Sequence, residues 1–174
     1  MRHLLSSIVV IASAGQATAD FIQVQADGFF EILEVHPDQI NIIFDAPVLA
    51  QKGGLGLTSV NGEATHVFTD DETDLFYGSG QLVGDTPDDI LVYMFQAVIQ
   101  TGNVTSIFDG TWTVDGGFGD FEGFTGRGDL SGFYMFLDAN SGQFSIEFQG
   151  DVVPASTTLA PLVAAAAMAS RRRR

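Results

Sequence analysis

The sequence predicts an all-β chain. The expected core is an antiparallel β-barrel or sandwich of about eight strands, with a signal helix before it and a short apolar helix after it. Two observations carry the fold class. Apolar runs rich in Val, Ile, Phe and Tyr recur at short intervals between Phe29 and Val153, cut by Gly, Pro, Asn and Asp, which is the pattern of strands and turns. The last run alternates with a period of two, Phe144, Ile146 and Phe148 against Ser145, Glu147 and Gln149, as a half-buried strand requires. The chain has no cysteine, so the domain must be stabilised by its core, and about 130 residues suffice for one.

Taken in order, Arg2 and His3 precede an apolar run over residues 4–14, and Ala17-Thr18-Ala19 reads as an A-x-A cleavage site. Residues 1–19 are therefore expected to be a secretory signal peptide, cut between Ala19 and Asp20 by signal peptidase. Strands are expected over 29–35 and 40–44, split by His36-Pro37-Asp38, and over a glycine-broken 52–57. Asn61-Gly62 reads as a hairpin turn leading into a strand over 64–69. In 75–83, Gly78 and Gly80 suggest bends or bulges. Residues 90–99 are nearly all apolar, with a composition that favours strand over buried helix. In 106–114, Trp112 and Val114 share one face, and Thr111 and Thr113 the other. A last hairpin is expected over 127–137 and 143–153 around Asp138–Gly142. Nothing inside 20–151 reads as a linker, so one domain is expected, with Trp112 and Phe121 in its core.

Charge separates this domain from its ends. All 22 acidic residues lie between Asp20 and Asp151, against Lys52 and Arg127 alone, which leaves −20. Such a domain repels nucleic acid and anionic lipid headgroups. Residues 152–174 differ: Val153-Pro154-Ala155-Ser156, then an uninterrupted apolar run over 159–169, then Arg171, Arg172, Arg173 and Arg174. As a helix those 11 apolar residues reach only roughly 17 Å, against about 30 Å of hydrocarbon. Such a segment suits transient membrane anchoring, with the arginines holding the cytoplasmic side.

The tail resembles the PEP-CTERM family of sorting signals on Val153, Pro154 and the four terminal arginines, and departs at Ala155 and Ser156, where the main form has Glu-Pro. The resemblance implies an exported chain, cut near the Pro motif by an exosortase-like enzyme and placed at a bacterial surface or in an extracellular matrix, with exopolysaccharide as a partner. A second resemblance lies in the run from Gly116 to Gly128. It is similar to the glycine-rich turn of allene-oxide-cyclase-like and dirigent-like β-barrels on Gly116, Gly117, Gly119, Phe121, Gly123, Thr125, Gly126 and Gly128, and departs at Phe118, Asp120, Glu122, Phe124 and Arg127. In that family the motif is structural, so it implies a barrel and no catalytic residue.

Candidate chemistry is sparse. No serine sits in a nucleophile elbow, and His36 and His66 lack cysteine partners for zinc. Arg127-Gly128-Asp129 spells an adhesion tripeptide inside the glycine-rich run. The candidate cofactor is calcium, which takes six to eight oxygens from flexible loops. Asp70, Asp71, Glu72 and Asp74 cluster in one turn and Asp85, Asp88 and Asp89 in another, a site if the fold joins the two turns. Three function classes follow: a non-enzymatic surface or matrix protein, a barrel binding a small apolar ligand, and a cyclase- or isomerase-like enzyme. A ring-filled lumen favours the first, an open apolar lumen the second, and a cavity of convergent polar groups the third.

Overall fold

The computed structural model describes residues 18–69, 73–102 and 105–155. Within them eight strands run in sequence order round a closed barrel: β1 (Asp20–Val35), β2 (Gln39–Lys52), β3 (Ser59–Val67), β4 (Asp74–Val83), β5 (Ile90–Thr101), β6 (Thr105–Phe118), β7 (Thr125–Phe136) and β8 (Ser141–Val153). Every neighbouring pair is antiparallel, and β8 closes on β1 with Asp20 opposite Val152 and Glu31 opposite Ser141. Closure leaves no strand edge unpaired, so the backbone polar groups are spent within the wall. The expected all-β fold of about eight strands is the one observed, as a barrel and not a sandwich.

Alternation sets which side chains face in. On β8, Phe144, Ile146, Phe148 and Val152 are buried while Gln143, Gln149 and Asp151 are exposed. On β1, Ile22, Val24, Ala26 and Phe30 point in while Gln25, Asp27 and Glu31 point out. A membrane-spanning barrel has the opposite arrangement, apolar outside and polar inside. The lumen is the core, packed with Phe30, Phe44, Phe76, Tyr93, Phe95, Phe108, Trp112, Tyr134, Phe144 and Phe148. Trp112 is 1% exposed and Phe121 5%, both inside as their sequence context predicts.

Four local expectations are corrected. Asn61-Gly62 is no turn: both lie within β3, and Gly62 pairs with Phe44 on one side and Gly80 on the other. Gly78 and Gly80 are no bulges either, pairing in regular register with Ala64 and Gly62. Their role is room, because a Cβ on Gly80 would lie 2.6 Å from the Tyr93 oxygen and one on Gly78 2.9 Å from the Phe95 ring. No strand runs over 52–57, since β2 ends at Lys52 and the chain turns at Gly53 and Gly54 with φ of +102° and +70°. Finally, β1 begins at Asp20 rather than Phe29; its outward glutamines and aspartate mask a clean period-two pattern. The bulges fall elsewhere, one of them in β6, where Val92 and Tyr93 pair with Gly116 and Val114 and skip Asp115.

The barrel has two different ends. At the terminal end the chain enters at Asp20 and leaves at Val153. Here the Gly119–Phe121 3-10 turn lays Phe121 across the opening, edge-on to Phe124 at 5.4 Å. Leu57 joins it, its N–H bound by Gln51 Oε1 at 2.9 Å and its carbonyl by Gln51 Nε2 at 3.1 Å. The distal end carries the β1–β2, β3–β4, β5–β6 and β7–β8 connections and is closed by polar chemistry.

Candidate functional site

Among the described residues the buried polar or charged side chains other than tyrosines are His66, Asp74 and Ser106, at 2%, 8% and 5% exposure. All three lie at the distal end. His66 ends the inward row of β3, Asp74 opens that of β4 and Ser106 that of β6. Tyr134, inward on β7, completes the group.

The cluster is a chain of hydrogen bonds. His66 Nε2 is 2.8 Å from Asp74 Oδ2, and the Tyr134 hydroxyl is 2.7 Å from His66 Nδ1. A carboxylate only accepts, so Nε2 carries the imidazole proton and Nδ1 accepts from Tyr134. Asp74 also accepts from the Thr101 hydroxyl at 2.9 Å and from the Thr69 N–H at 2.9 Å. The Ser106 hydroxyl donates to the Tyr134 oxygen. Phe68 packs against the imidazole with ring centroids 4.4 Å apart and planes tilted by 48°.

Burial governs the protonation states. It lowers the pKa of His66, and it outweighs the opposing hydrogen bond and charge of Asp74. Burial alone would raise Asp74, but the bonds from Thr69, His66 and Thr101 prevail and hold it below the ordinary carboxylate range. Burial pushes Tyr134 up to about 12, against the lowering bond from Ser106. The resting cluster is therefore neutral tyrosine, neutral histidine and ionised aspartate.

This order of groups is that of a proton relay, but the space beside it is small. The lumen cavity touching Tyr134 is about 20 Å³ and otherwise lined by apolar residues, among them Phe30, Phe44, Phe76, Phe95, Phe108 and Phe144. That holds about one water, whereas ligand pockets run to about 300–1,000 Å³. A second buried hydroxyl, on Tyr93, has no hydrogen-bond partner among the described residues, and burial raises its pKa.

The sequence-predicted site residues are scattered. Asp74 belongs to the histidine cluster, while Asp85, Asp88 and Asp89 lie past the other end of β4, a strand of 10 residues that spans roughly 30 Å. These carboxylates do not meet. Asp89 is spent on the Asp120 N–H at 2.8 Å and the Thr86 hydroxyl at 2.7 Å. Asp70, Asp71 and Glu72 lie outside the described residues, as do Ala17, Ser156 and the four terminal arginines. Among the described residues no group of three metal-ligating side chains forms. His36 sits in the β1–β2 connection, 3.2 Å from Glu34 on the surface. Arg127-Gly128-Asp129 lies within β7, not in a loop. Ala19 precedes β1, Val153 ends β8, and Pro154 and Ala155 follow it.

Sequence reasoning missed Tyr134–His66–Asp74. The signal was parity: counting by twos along β3 from Val60 and along β4 from Phe76 puts His66 and Asp74 at inward positions, where a polar residue needs a partner.

No protein-family model matches the chain, and no curated protein matches it in sequence. A solved structure to which it is similar is the pterocarpan synthase dirigent protein, at 10% identity and a TM-score of 0.42, over 89% of this chain and 99% of that one. Neither activity nor residue roles are carried over from it.

Proposed function

We propose that the chain is an exported, non-enzymatic structural protein of a bacterial surface or extracellular matrix. Signal peptidase releases it after Ala19. An exosortase-like enzyme then cuts its PEP-CTERM-like tail near Val153, Pro154, Ala155 and Ser156, after Arg171, Arg172, Arg173 and Arg174 have held the anchor on the cytoplasmic side. Exopolysaccharide is its partner outside the cell.

The observation that carries the non-enzymatic reading is the lumen. It is occupied by the protein's own rings, and the space left, about 20 Å³, admits neither a substrate nor a small apolar ligand. In this reading the Tyr134–His66–Asp74 chain is a structural latch that satisfies the distal end. The export reading rests on the order of motifs at the two ends and on the acidic charge between them.

Intact-mass measurement of the protein released from expressing cells tests it. The expected species begins at Asp20 and ends near Val153–Ser156, and Pro154→Ala leaves the precursor uncut. A released species still carrying Arg174 would overturn the sorting reading.

A further inference from the structure

The outer wall carries a row of polar side chains that the fold does not use. Cross-strand pairing sets Thr65 opposite Tyr77, Tyr77 opposite Gln96, Gln96 opposite Thr111, Thr111 opposite Asp129, and Asp129 opposite Gln149. One outward residue from each strand, β3 to β8, thus forms a band across the wall, with steps of about 4.8 Å between strands. The band lies in two depressions that meet at Thr111 and Thr113, one of about 970 Å³ over β1–β6 and one of about 520 Å³ that continues over β6–β8 to Phe21 on β1.

Most of these groups have unspent hydrogen-bonding capacity. Thr65 donates to Asn41 at 2.9 Å, but the side chains of Tyr77, Gln96, Thr111, Asp129 and Gln149 make no hydrogen bond among the described residues. Tyr77 is 45% exposed and Met94 beside the row 47%, which gives an apolar surface between amide and hydroxyl groups. Charge then selects the occupant. The outward side chains of β4 and β5 after Asp74 include no charged residue, while the domain as a whole stands at −20. The two depressions set the single Arg127 against Glu34, Glu63, Asp129 and Asp151, so a polyanion, a nucleic acid or an anionic membrane is repelled by that field. An uncharged polyhydroxylated chain meets no such penalty. Its hydroxyls pair with carboxamides and threonines, its ring faces lie on tyrosine, and the strand spacing approaches the rise of one extended sugar unit.

From this we infer that the band Thr65–Tyr77–Gln96–Thr111–Asp129–Gln149 is a docking site for a neutral polysaccharide strand. The inference rests on the matrix reading above for its setting, and it gives that partner a place and a charge class.

The test is native affinity electrophoresis of the full chain, held in a non-ionic detergent without sugar headgroups. The gels contain hydroxyethylcellulose or galactomannan as neutral polymers and alginate as a polyanion. At least one neutral polymer retards the parent, and alginate does not. Tyr77→Ala with Gln96→Ala weakens retardation about tenfold, the loss expected for roughly one stacking contact and one hydrogen bond. Thr111→Val keeps a strand-favouring residue and weakens it less. Gln143→Ala, outward on β8 and off the band, changes nothing. Circular dichroism checks that the variants keep the barrel, and should the double variant lose it, Thr111→Val alone decides. No retardation by either neutral polymer, equal retardation by alginate, or parent-like retardation of the band variants overturns the inference. The released mass is read separately, so a cut tail without polysaccharide binding removes the docking site and leaves the export reading standing.

Discussion

Acid should open the distal latch, and the effect can be bounded from the structure. His66 is 2% exposed, and burial holds its pKa below the free value. The folded state therefore binds this proton less readily than the unfolded one. A lowered pKa contributes stability that is complete above the unfolded value, near 6.5, and is lost as pH falls through the folded value. At pH 5 the loss cannot exceed about 2 kcal/mol, which is about 1.5 pH units at about 1.36 kcal/mol each. Asp74, also lowered, acts in the same direction but below about pH 4. A domain at −20 gains stability on acidification by losing repulsion, so the raw pH dependence mixes opposing effects. The difference between parent and His66→Gln removes the shared part. Urea midpoints at pH 7.5 and 5.0 should show the parent losing up to about 2 kcal/mol relative to the variant. Two substitutions of the partner should separate charge from satisfaction. Asp74→Asn lets the imidazole change tautomer and keep both bonds, at about 1–2 kcal/mol. Asp74→Ala strands the buried, neutral His66 N–H, at about 1–3 kcal/mol. Identical pH slopes for the parent and His66→Gln would refute the latch.

Four other outcomes follow from the packing and the charge. Trp112→Ala removes a side chain that is 1% exposed and lies edge-on to Phe148 at 6.0 Å; it should cost about 3–5 kcal/mol, and a calorimetric scan matching the parent would remove Trp112 from the core. Tyr93→Phe deletes a buried hydroxyl with no partner among the described residues and should stabilise by about 1 kcal/mol; a lower urea midpoint would reveal a bond that the hydroxyl makes. Raising sodium chloride from about 0.01 M to 0.15 M shortens the screening length from about 30 Å to 8 Å and should raise the melting temperature. Calcium at equal ionic strength should give the same curve, since Asp74 and the Asp85–Asp89 carboxylates sit at opposite ends of β4; a saturable extra gain would place a calcium site among the acidic turns.

Strand number, the last hairpin and the inward placing of Trp112 were legible because each is local. A period of two over Phe144, Ile146 and Phe148 fixes a buried face whatever the partner strand. What stayed hidden depends on register. Asn61-Gly62 satisfies every local criterion for a turn, yet Gly62 serves to admit the Phe44 ring from β2, with Cζ 2.9 Å from where a Cβ would stand. The same holds for the polar cluster. His66 and Asp74 are eight residues apart in a hairpin, but Tyr134 comes from β7, 68 residues from His66. No spacing rule joins it to them until closure of the barrel does. Nor does any single stretch encode the outer band, since each of its members comes from a different strand.

The cross-strand pairing of rings with glycines explains why the lumen is solid. Five inward rings each lie over the glycine directly opposite on the neighbouring strand: Phe30 over Gly142, Phe44 over Gly62, Tyr93 over Gly80, Phe95 over Gly78 and Phe108 over Gly132. In each case a Cβ on the glycine would collide with the ring. Rings covering glycines in this way shield bare backbone and pin register. They also divide the lumen volume, since a large side chain fits an eight-strand barrel only where its neighbour across the pair has none. A barrel built to hold a ligand would leave some of those glycines uncovered and line the space with groups that fix an orientation. Here a cavity among them, about 20 Å³, is lined mostly by the same rings, with Tyr134 turned to His66. Evolution of a binding function in such a core would require removing rings, each at about 3–5 kcal/mol. The outer wall carries no such cost: its amides and hydroxyls can change without disturbing a ring–glycine pair, while the interior holds the shape.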